Sequence, residues 1–243
     1  MTGGASGIGR ATVAQLARQR YRVTTCDVDQ VGLDSLCDEL RSDGLECLAL
    51  VADLREQFGV DDVVASAVAA HGPVQALVNV AGVMDWFLPA DEVDDETWFG
   101  VMAVNVDAPM RLCRAVLPMM VEAGSGVIVN VGSFAGHRGG SAGLAYTVSK
   151  HAVTGLTRNI AWTYAKRGVR CNMVMPGLVK TNIGRTGEPR SPWGYERLGP
   201  IHKTAPRMAR PHEIASVISW LCSAESAALN GAEIEADGGW SAG

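Results

Sequence analysis

The feature that most constrains this chain is a regular alternation of short apolar runs with longer helical patterns. Tyr21–Cys26, Glu46–Val51, Val74–Val80, Gly126–Val131, Val169–Val174 and Glu233–Glu235 read as strands. Ile8–Arg20, Gln30–Asp43, Leu54–His71, Asp94–Glu122, Ala145–Lys166 and Pro211–Ala224 carry helical spacing, and Gly72-Pro73 stops the third of these. Strands that are continuously apolar must be buried on both faces. The pattern therefore predicts an α/β fold: a doubly wound, Rossmann-type parallel sheet with helices on both sides. No linker, repeat or low-complexity stretch interrupts it, so one domain over residues 1–243 is expected. Residues 177–210 break the rhythm with Gly177, Gly184, Gly187, Pro189, Pro192, Gly194, Gly199, Pro200 and Pro206. An irregular segment of that length reads as a lid.

Composition narrows the classes. Hydrophobic residues make up 47% and charged residues 19%, which argues against a disordered chain. The formal net charge is -5 with no Lys/Arg run, which argues against nucleic acid as a partner. No apolar stretch reaches the ~20 residues that span a membrane. The chain opens on a glycine-rich loop rather than a signal peptide. The cysteines at 26, 37, 47, 113, 171 and 222 show neither C-x-x-C nor zinc-finger spacing. They read as free buried thiols of a cytoplasmic protein, with no metal site.

A doubly wound sheet needs a strand before its first glycine loop, and here only Met1 precedes Thr2. The expectation is that a central strand of about 5–6 residues lies upstream of Met1. Without it, two neighbouring strands would lack a partner.

Thr2 to Gly9 reads T-G-G-A-S-G-I-G, directly before a helix. Gly3, Gly7 and Gly9 allow a tight turn and a close backbone approach to a pyrophosphate. The helix N-terminus adds free N–H groups and the positive end of its dipole. Asp27 ends the next strand, where a carboxylate accepts from adenosine ribose hydroxyls and repels a 2′-phosphate. Ser6 is not basic and Asp29 adds negative charge, so NAD is expected over NADP. Asp53 stands either at the adenine amino group or as the N-cap of the next helix. Small residues in Asn79-Val80-Ala81-Gly82 would let a cofactor cross the strand ends.

Ser133 follows the predicted strand Gly126–Val131. Tyr146 and Lys150 lie four apart on one helix face. A nearby ammonium lowers a phenol's pKa, which would make Tyr146 a general acid or base near neutral pH. Asn105 lies four residues before Pro109. Proline has no N–H for the carbonyl of residue 105, so a kink there would free that carbonyl for a water.

Together these residues resemble the short-chain dehydrogenase/reductase family over essentially the whole chain. The resemblance rests on T-G-G-A-S-G-I-G, Asp27, Asp53-Leu54, N-V-A-G, Asn105, Ser133, Y-T-V-S-K, Pro176-Gly177 and the closing N-G-A-E-I-E-A-D-G-G-W. Val80 stands where the family usually has Ala. The resemblance implies an oxidoreductase that moves a hydride between NAD(H) and a secondary alcohol or ketone. Ser133 would bind the substrate oxygen, Tyr146 transfer the proton, Lys150 tune Tyr146 and hold the nicotinamide ribose, and Asn105 order a water. Ser6, Ile8, Leu54, Ala81, Gly82, Pro176, Gly177, Val179 and Thr181 would contact the cofactor. Met84, Trp86, Phe134, His137, Trp193, Tyr195 and His202 are the candidate substrate-pocket residues, fitting a moderately bulky, partly apolar molecule. His137 reads more readily as a solvated loop histidine than as a substrate ligand. The helices around 95–121 and 145–166 are apolar on more than one face, and the family commonly pairs them in homotetramers. A homotetramer or homodimer is therefore expected. The competing reading is a catalytically silent NAD-binding regulator or scaffold on the same fold; such a protein would be expected to lack Tyr146 or Lys150.

Overall fold

The computed structural model describes residues 1–183 and 189–243. Six parallel strands are present among them: β1 Thr24–Asp27, β2 Leu48–Val51, β3 Ala76–Asn79, β4 Gly126–Val131, β5 Val169–Pro176 and β6 Glu233–Ala236. β1 pairs with β2, and β3 to β6 pair in sequence order. Thr2 joins the two groups. It bridges Cys26 of β1, and its N–H donates to the Val78 carbonyl of β3 at 3.1 Å. Met1 and Thr2 lie between β1 and β3, and Val23, Thr24 and Ala76–Val78 line a cavity of about 460 Å³ beside them.

The helices are α1 Gly7–Arg18, α2 Gln30–Ser42, α3 Gln57–His71, α4 Asp95–Met102, α5 Ala108–Glu122, α6 Leu144–Tyr164, α7 Pro192–His202 and α8 Pro211–Cys222. Successive strand residues face opposite layers, as the pleat requires. Leu77 and Ile128 pack with Val60, Leu112, Val116 and Ile160 on the α3/α5/α6 side. Val78 and Val129 pack with Ile214, Ile218 and Leu221 of α8 on the other. Val13 and Leu16 of α1 meet Leu36 and Leu40 of α2. Each Leu or Ile so buried contributes roughly 1.5–3 kcal/mol.

Three expectations need correction. The single helix predicted over Asp94–Glu122 is two helices joined by a π-helical turn at Ala103–Asp107, so the irregularity at Asn105 is a widened turn rather than a simple proline kink. The third helix starts at Gln57 with Glu56 as its N-cap, not at Leu54, so Asp53 is not a cap. The segment 177–210 is not irregular throughout, because it contains α7. Ser191 caps that helix by accepting from the Gly194 N–H, and Pro192 fits its first turn, where a missing N–H is tolerated. Gly184 and Gly187 lie outside the described residues. Cys26, Cys113 and Cys171 are buried, but Cys37, Cys47 and Cys222 are only half-buried. No helix among the described residues is long and apolar enough to cross a membrane.

Candidate active site

The strands run parallel, so their carboxyl ends gather at one edge. The glycine loop, Asp27, Asp53, Ala81-Gly82 and Ser133 all follow from those ends. A cavity of about 450 Å³ opens there, lined by Gly3, Ser6, Gly7, Ile8, Gly9, Asp27, Asp53, Leu54, Ala81, Gly82 and Thr181 among others. Sequence reasoning named every one of these. Gly3 and Gly7 adopt φ of +74° and +54°, which glycine enters without strain. Gly9 is required for a different reason: a Cβ there would stand 1.8 Å from the Gly3 carbonyl oxygen.

The loop and α1 suit a phosphate group. Ser6 occupies the N-cap without bonding a first-turn N–H, and the first turn holds no acidic residue. The free amides and the helix dipole therefore face the cavity uncompensated. Thr181 packs against Gly7, and its buried Oγ1 has no partner among the described residues. An orphaned donor beside free amides fits a dinucleotide pyrophosphate.

Asp27 is pinned rather than loose. One carboxylate oxygen accepts from Ala5 N–H at 3.0 Å and the other from Val28 N–H at 2.8 Å and Asp29 N–H at 3.2 Å. Asp53 is gripped by Arg55, whose hydrogen bonds hold its carboxyl below the usual range. Arg55 also lines the cavity and was not singled out from sequence. Asn79, Pro176, Gly177 and Val179 lie off the cavity wall. The Asn79 amide donates to Asn130 at 2.8 Å across β3 and β4, and Val179 bridges Ala209.

Beside this cavity, the first turns of α6 bring Tyr146 and Lys150 under the turn that follows β4. Both are nearly fully buried, at 8% and 4% exposed. The Ser133 hydroxyl lies close enough to the Tyr146 phenol to lower its pKa. Ser133 Oγ also accepts from Ala135 N–H at 3.1 Å. Lys150 Nζ donates to the Val131 carbonyl at 3.0 Å and sits 5.4 Å from the Tyr146 ring centroid. Gly82 leaves room here, since a Cβ would lie 3.7 Å from Lys150 Nζ and 3.4 Å from Asn105 Oδ1. Asn105 is buried and laces three pieces together. Its Oδ1 accepts from Val83 N–H at 2.9 Å, and its Nδ2 donates to the Val83 carbonyl and Ser149 Oγ at 3.0 Å each.

The expected lowering of the Tyr146 pKa is not what the protein alone does. Burial pushes the phenol up to about 12, against a lowering from Ser133 and with a further rise from Asp85. Burial also draws Lys150 down to about 8. The reason is solvation: both charged forms lose water in the same pocket, and the ammonium is bonded to a carbonyl over the ring rather than to the phenol oxygen.

The substrate candidates divide. Met84 packs against Tyr146, Ala135 and Ala142. Trp86 and Phe87 follow in left-handed conformations, with φ of +55° and +61°. Phe134 instead stacks flat on Trp240, 3.9 Å between centroids, which makes it a brace. His137 is half-buried, with Glu233 bonded to its ring and Arg158 holding the same carboxylate at 2.6 Å. Trp193 is half-exposed at the start of α7 and donates to Glu92. Tyr195 packs on Phe87 at 5.0 Å, and His202 bonds the Ser141 carbonyl at 2.8 Å. Sequence reasoning missed Phe87, Glu233, Trp240 and Asp85. Asp85 had a visible signal as an acidic residue inside an apolar stretch, and Glu233 and Trp240 lay in the closing motif without a role of their own.

Comparison with known proteins agrees with this geometry. The family model described as short chain dehydrogenase matches residues 1–190. The chain is 40% identical to a short-chain dehydrogenase/reductase of Talaromyces verruculosus, covering 99% of this chain and 95% of that protein. It is 37% identical to a 3beta-hydroxysteroid dehydrogenase of Eggerthella lenta, covering 100% and 94%. Among solved structures, it superposes on levodione reductase with TM-score 0.90 at 29% identity, covering 99% and 96% of the two chains. A gluconate 5-dehydrogenase from Beutenbergia cavernae, described as putative and NAD(P)-dependent and carrying NADP at low occupancy, gives 0.88 at 36% identity, covering 100% and 95%.

Proposed function

The chain belongs to the short-chain dehydrogenase family and is an oxidoreductase, and on that premise we propose that Tyr146, Ser133 and Lys150 interconvert a secondary alcohol and its ketone. The observation that carries this reading is the convergence of the three side chains in one cluster beside the glycine-loop cavity, with Tyr146 and Lys150 buried. A nicotinamide dinucleotide supplies the hydride acceptor or donor. The loop amides of Gly3–Gly9 and Thr181 Oγ1 would hold its phosphates, and Asp27 its adenosine ribose.

The chain's own residues handle the proton. In alcohol oxidation the substrate O–H proton passes to the Tyr146 oxygen as the C–H hydride leaves; in reduction both moves reverse. Ser133 donates to the substrate oxygen and limits the charge it carries. The Lys150 ammonium offsets a phenolate formed at Tyr146. Asn105 keeps Val83 and α6 in register, and its main-chain carbonyl, opposite a proline with no N–H, is left for a water reaching Lys150. A regulator on the same fold has no need of this cluster.

Three finer readings follow from particular residues. NAD is preferred over NADP because the fixed Asp27 carboxylate faces a 2′-phosphate, although Arg55 on the same wall pulls the other way. The substrate is a moderately bulky, partly apolar secondary alcohol or ketone, seated among Met84, Trp86, Phe87 and Trp193. The chain assembles as a homotetramer or homodimer in the cytoplasm, burying Phe99, Met110 and Trp162 of α4, α5 and α6; Trp162 is 88% exposed in the single chain. A one-subunit mass in light scattering would refute the assembly.

A panel of secondary alcohols and ketones with NAD(H) and NADP(H) tests the main reading. Turnover of at least one pair supports it; dinucleotide binding with no turnover across the panel refutes it. Asp27→Ala is expected to narrow the NAD/NADP preference by at least about tenfold, or about 1.4 kcal/mol. Unchanged selectivity removes Asp27 from the ribose site.

A further inference from the structure

Asp85 takes no part in the chemistry above, yet it is 0% exposed. A buried carboxylate without partners is strongly disfavoured, so what it bonds is informative. Its partners are backbone amides. Oδ2 accepts from Tyr146 N–H at 2.9 Å, and Oδ1 accepts from Phe87 N–H at 3.2 Å. α6 starts after Gly143, which offers no side chain to cap it. Asp85, distant in sequence, occupies that position instead. Gly143 is what lets it approach, since a Cβ at 143 would stand 2.5 Å from Asp85 Oδ2.

The same contacts tie α6 to the loop before α4. Leu144 N–H donates to the Leu88 carbonyl at 2.9 Å, and Leu88 N–H to the Asp85 carbonyl at 3.2 Å. At the other end of the loop, Asn105 holds Val83 and Ser149, and Ser149 Oγ donates to the Tyr146 carbonyl at 2.7 Å. The loop between these two anchors carries Trp86 and Phe87, whose left-handed backbones are strained and need support from their surroundings.

We propose that Asp85 is a positioning residue, clamping the first turn of the Tyr146 helix to the 83–88 loop and so fixing the phenol relative to a substrate seated on Trp86 and Phe87. This rests on the dehydrogenase reading for its kinetic consequence but not for the clamp. The clamp also acts electrically. Burial raises the Asp85 pKa, while the amides of Tyr146 and Phe87 favour its carboxylate. That negative charge opposes the Tyr146 phenolate. The other groups facing the phenol are Ser133 from the β4 turn and Lys150 from α6. From α7, Tyr195 and His202 pack on Phe87, and His202 bonds Ser141.

The test compares Asp85→Asn and Gly143→Ala with the full-length wild type. Asp85→Asn keeps the shape but loses the charge and one of the two acceptor bonds. Dinucleotide affinity is expected to stay within about threefold, because the phosphate loop is untouched. The kcat is expected to fall at least about tenfold, since small misplacements of a reacting group are costly. In the reduction direction, where Tyr146 must carry its proton, the basic limb of the kcat/KM profile is expected to move to lower pH by about half a unit or more. Gly143→Ala pushes the carboxylate aside with its charge intact, so kcat falls while the limb stays near its wild-type position. In both, backbone amides 144–147 exchange faster with solvent. Wild-type kcat, pH profile and exchange in folded Asp85→Asn overturn the proposal. If that variant does not fold, wild-type kcat and exchange in Gly143→Ala overturn it. Amide exchange reads the clamp without turnover, so a wild type inactive on every substrate sinks the dehydrogenase reading while the clamp is still judged.

Discussion

Replacing Tyr146 by Phe separates catalysis from stability within one side chain. The substitution deletes one hydroxyl in a pocket that is otherwise unchanged in shape. The neighbouring Ser133 hydroxyl keeps its bond from Ala135 N–H, so it is not stranded. The net loss is at most that of one ordinary hydrogen bond, about 1 kcal/mol, which moves the melting temperature of a chain this size by roughly 2–4 °C. A positioned general acid or base is worth about 100- to 10,000-fold in rate, or about 3–5 kcal/mol of barrier. Steady-state rates from nicotinamide absorbance, on the best substrate of the panel, give the first figure. Thermal melting and dinucleotide titration give the other two. The expected result is a kcat loss of at least about 100-fold with near-normal melting and dinucleotide affinity. A folded Tyr146→Phe enzyme within about threefold of wild-type kcat would refute proton transfer at Tyr146.

Two further outcomes test other parts of the site. Gly9→Ala drives a methyl into the Gly3 carbonyl, a backbone atom that cannot rotate away; dinucleotide Kd is expected to rise at least about tenfold in a titration, and an unchanged Kd refutes the phosphate-loop geometry. Lys150→Met tests the buried ammonium by its pH dependence. The folded-state pKa lies near 8, below the ordinary 10.5, so the unfolded chain holds more protons between those values and wild-type stability rises with pH across that window. The wild type should gain about 3 kcal/mol on Lys150→Met between pH 8 and 10.5 in denaturant titrations, and a constant difference would refute the shift.

The sequence alone carried the architecture, because apolar strand runs separated by helical periods admit few arrangements other than a parallel sheet between helix layers. It also carried the phosphate loop. A glycine is needed where a backbone turns left-handed or another carbonyl comes within contact, and Gly3, Gly7 and Gly9 mark those places directly. Tyr146 and Lys150 were legible because a helix puts residues four apart on one face, and Ser133 because it directly follows a strand. What the tertiary structure decided are quantities that depend on neighbours distant in the chain. The Tyr146 pKa moved opposite to expectation because solvation, not the adjacent lysine, dominates in a closed pocket. Phe134 stacks on Trp240 and His137 bonds Glu233, partners far away in the chain that no local pattern points to. Asp85 gained a role only when folding brought it to a helix start that has no cap of its own. Local pattern records what the backbone must do at each position; which polar groups lose water together, and which partners they then find, is settled only when the chain has closed.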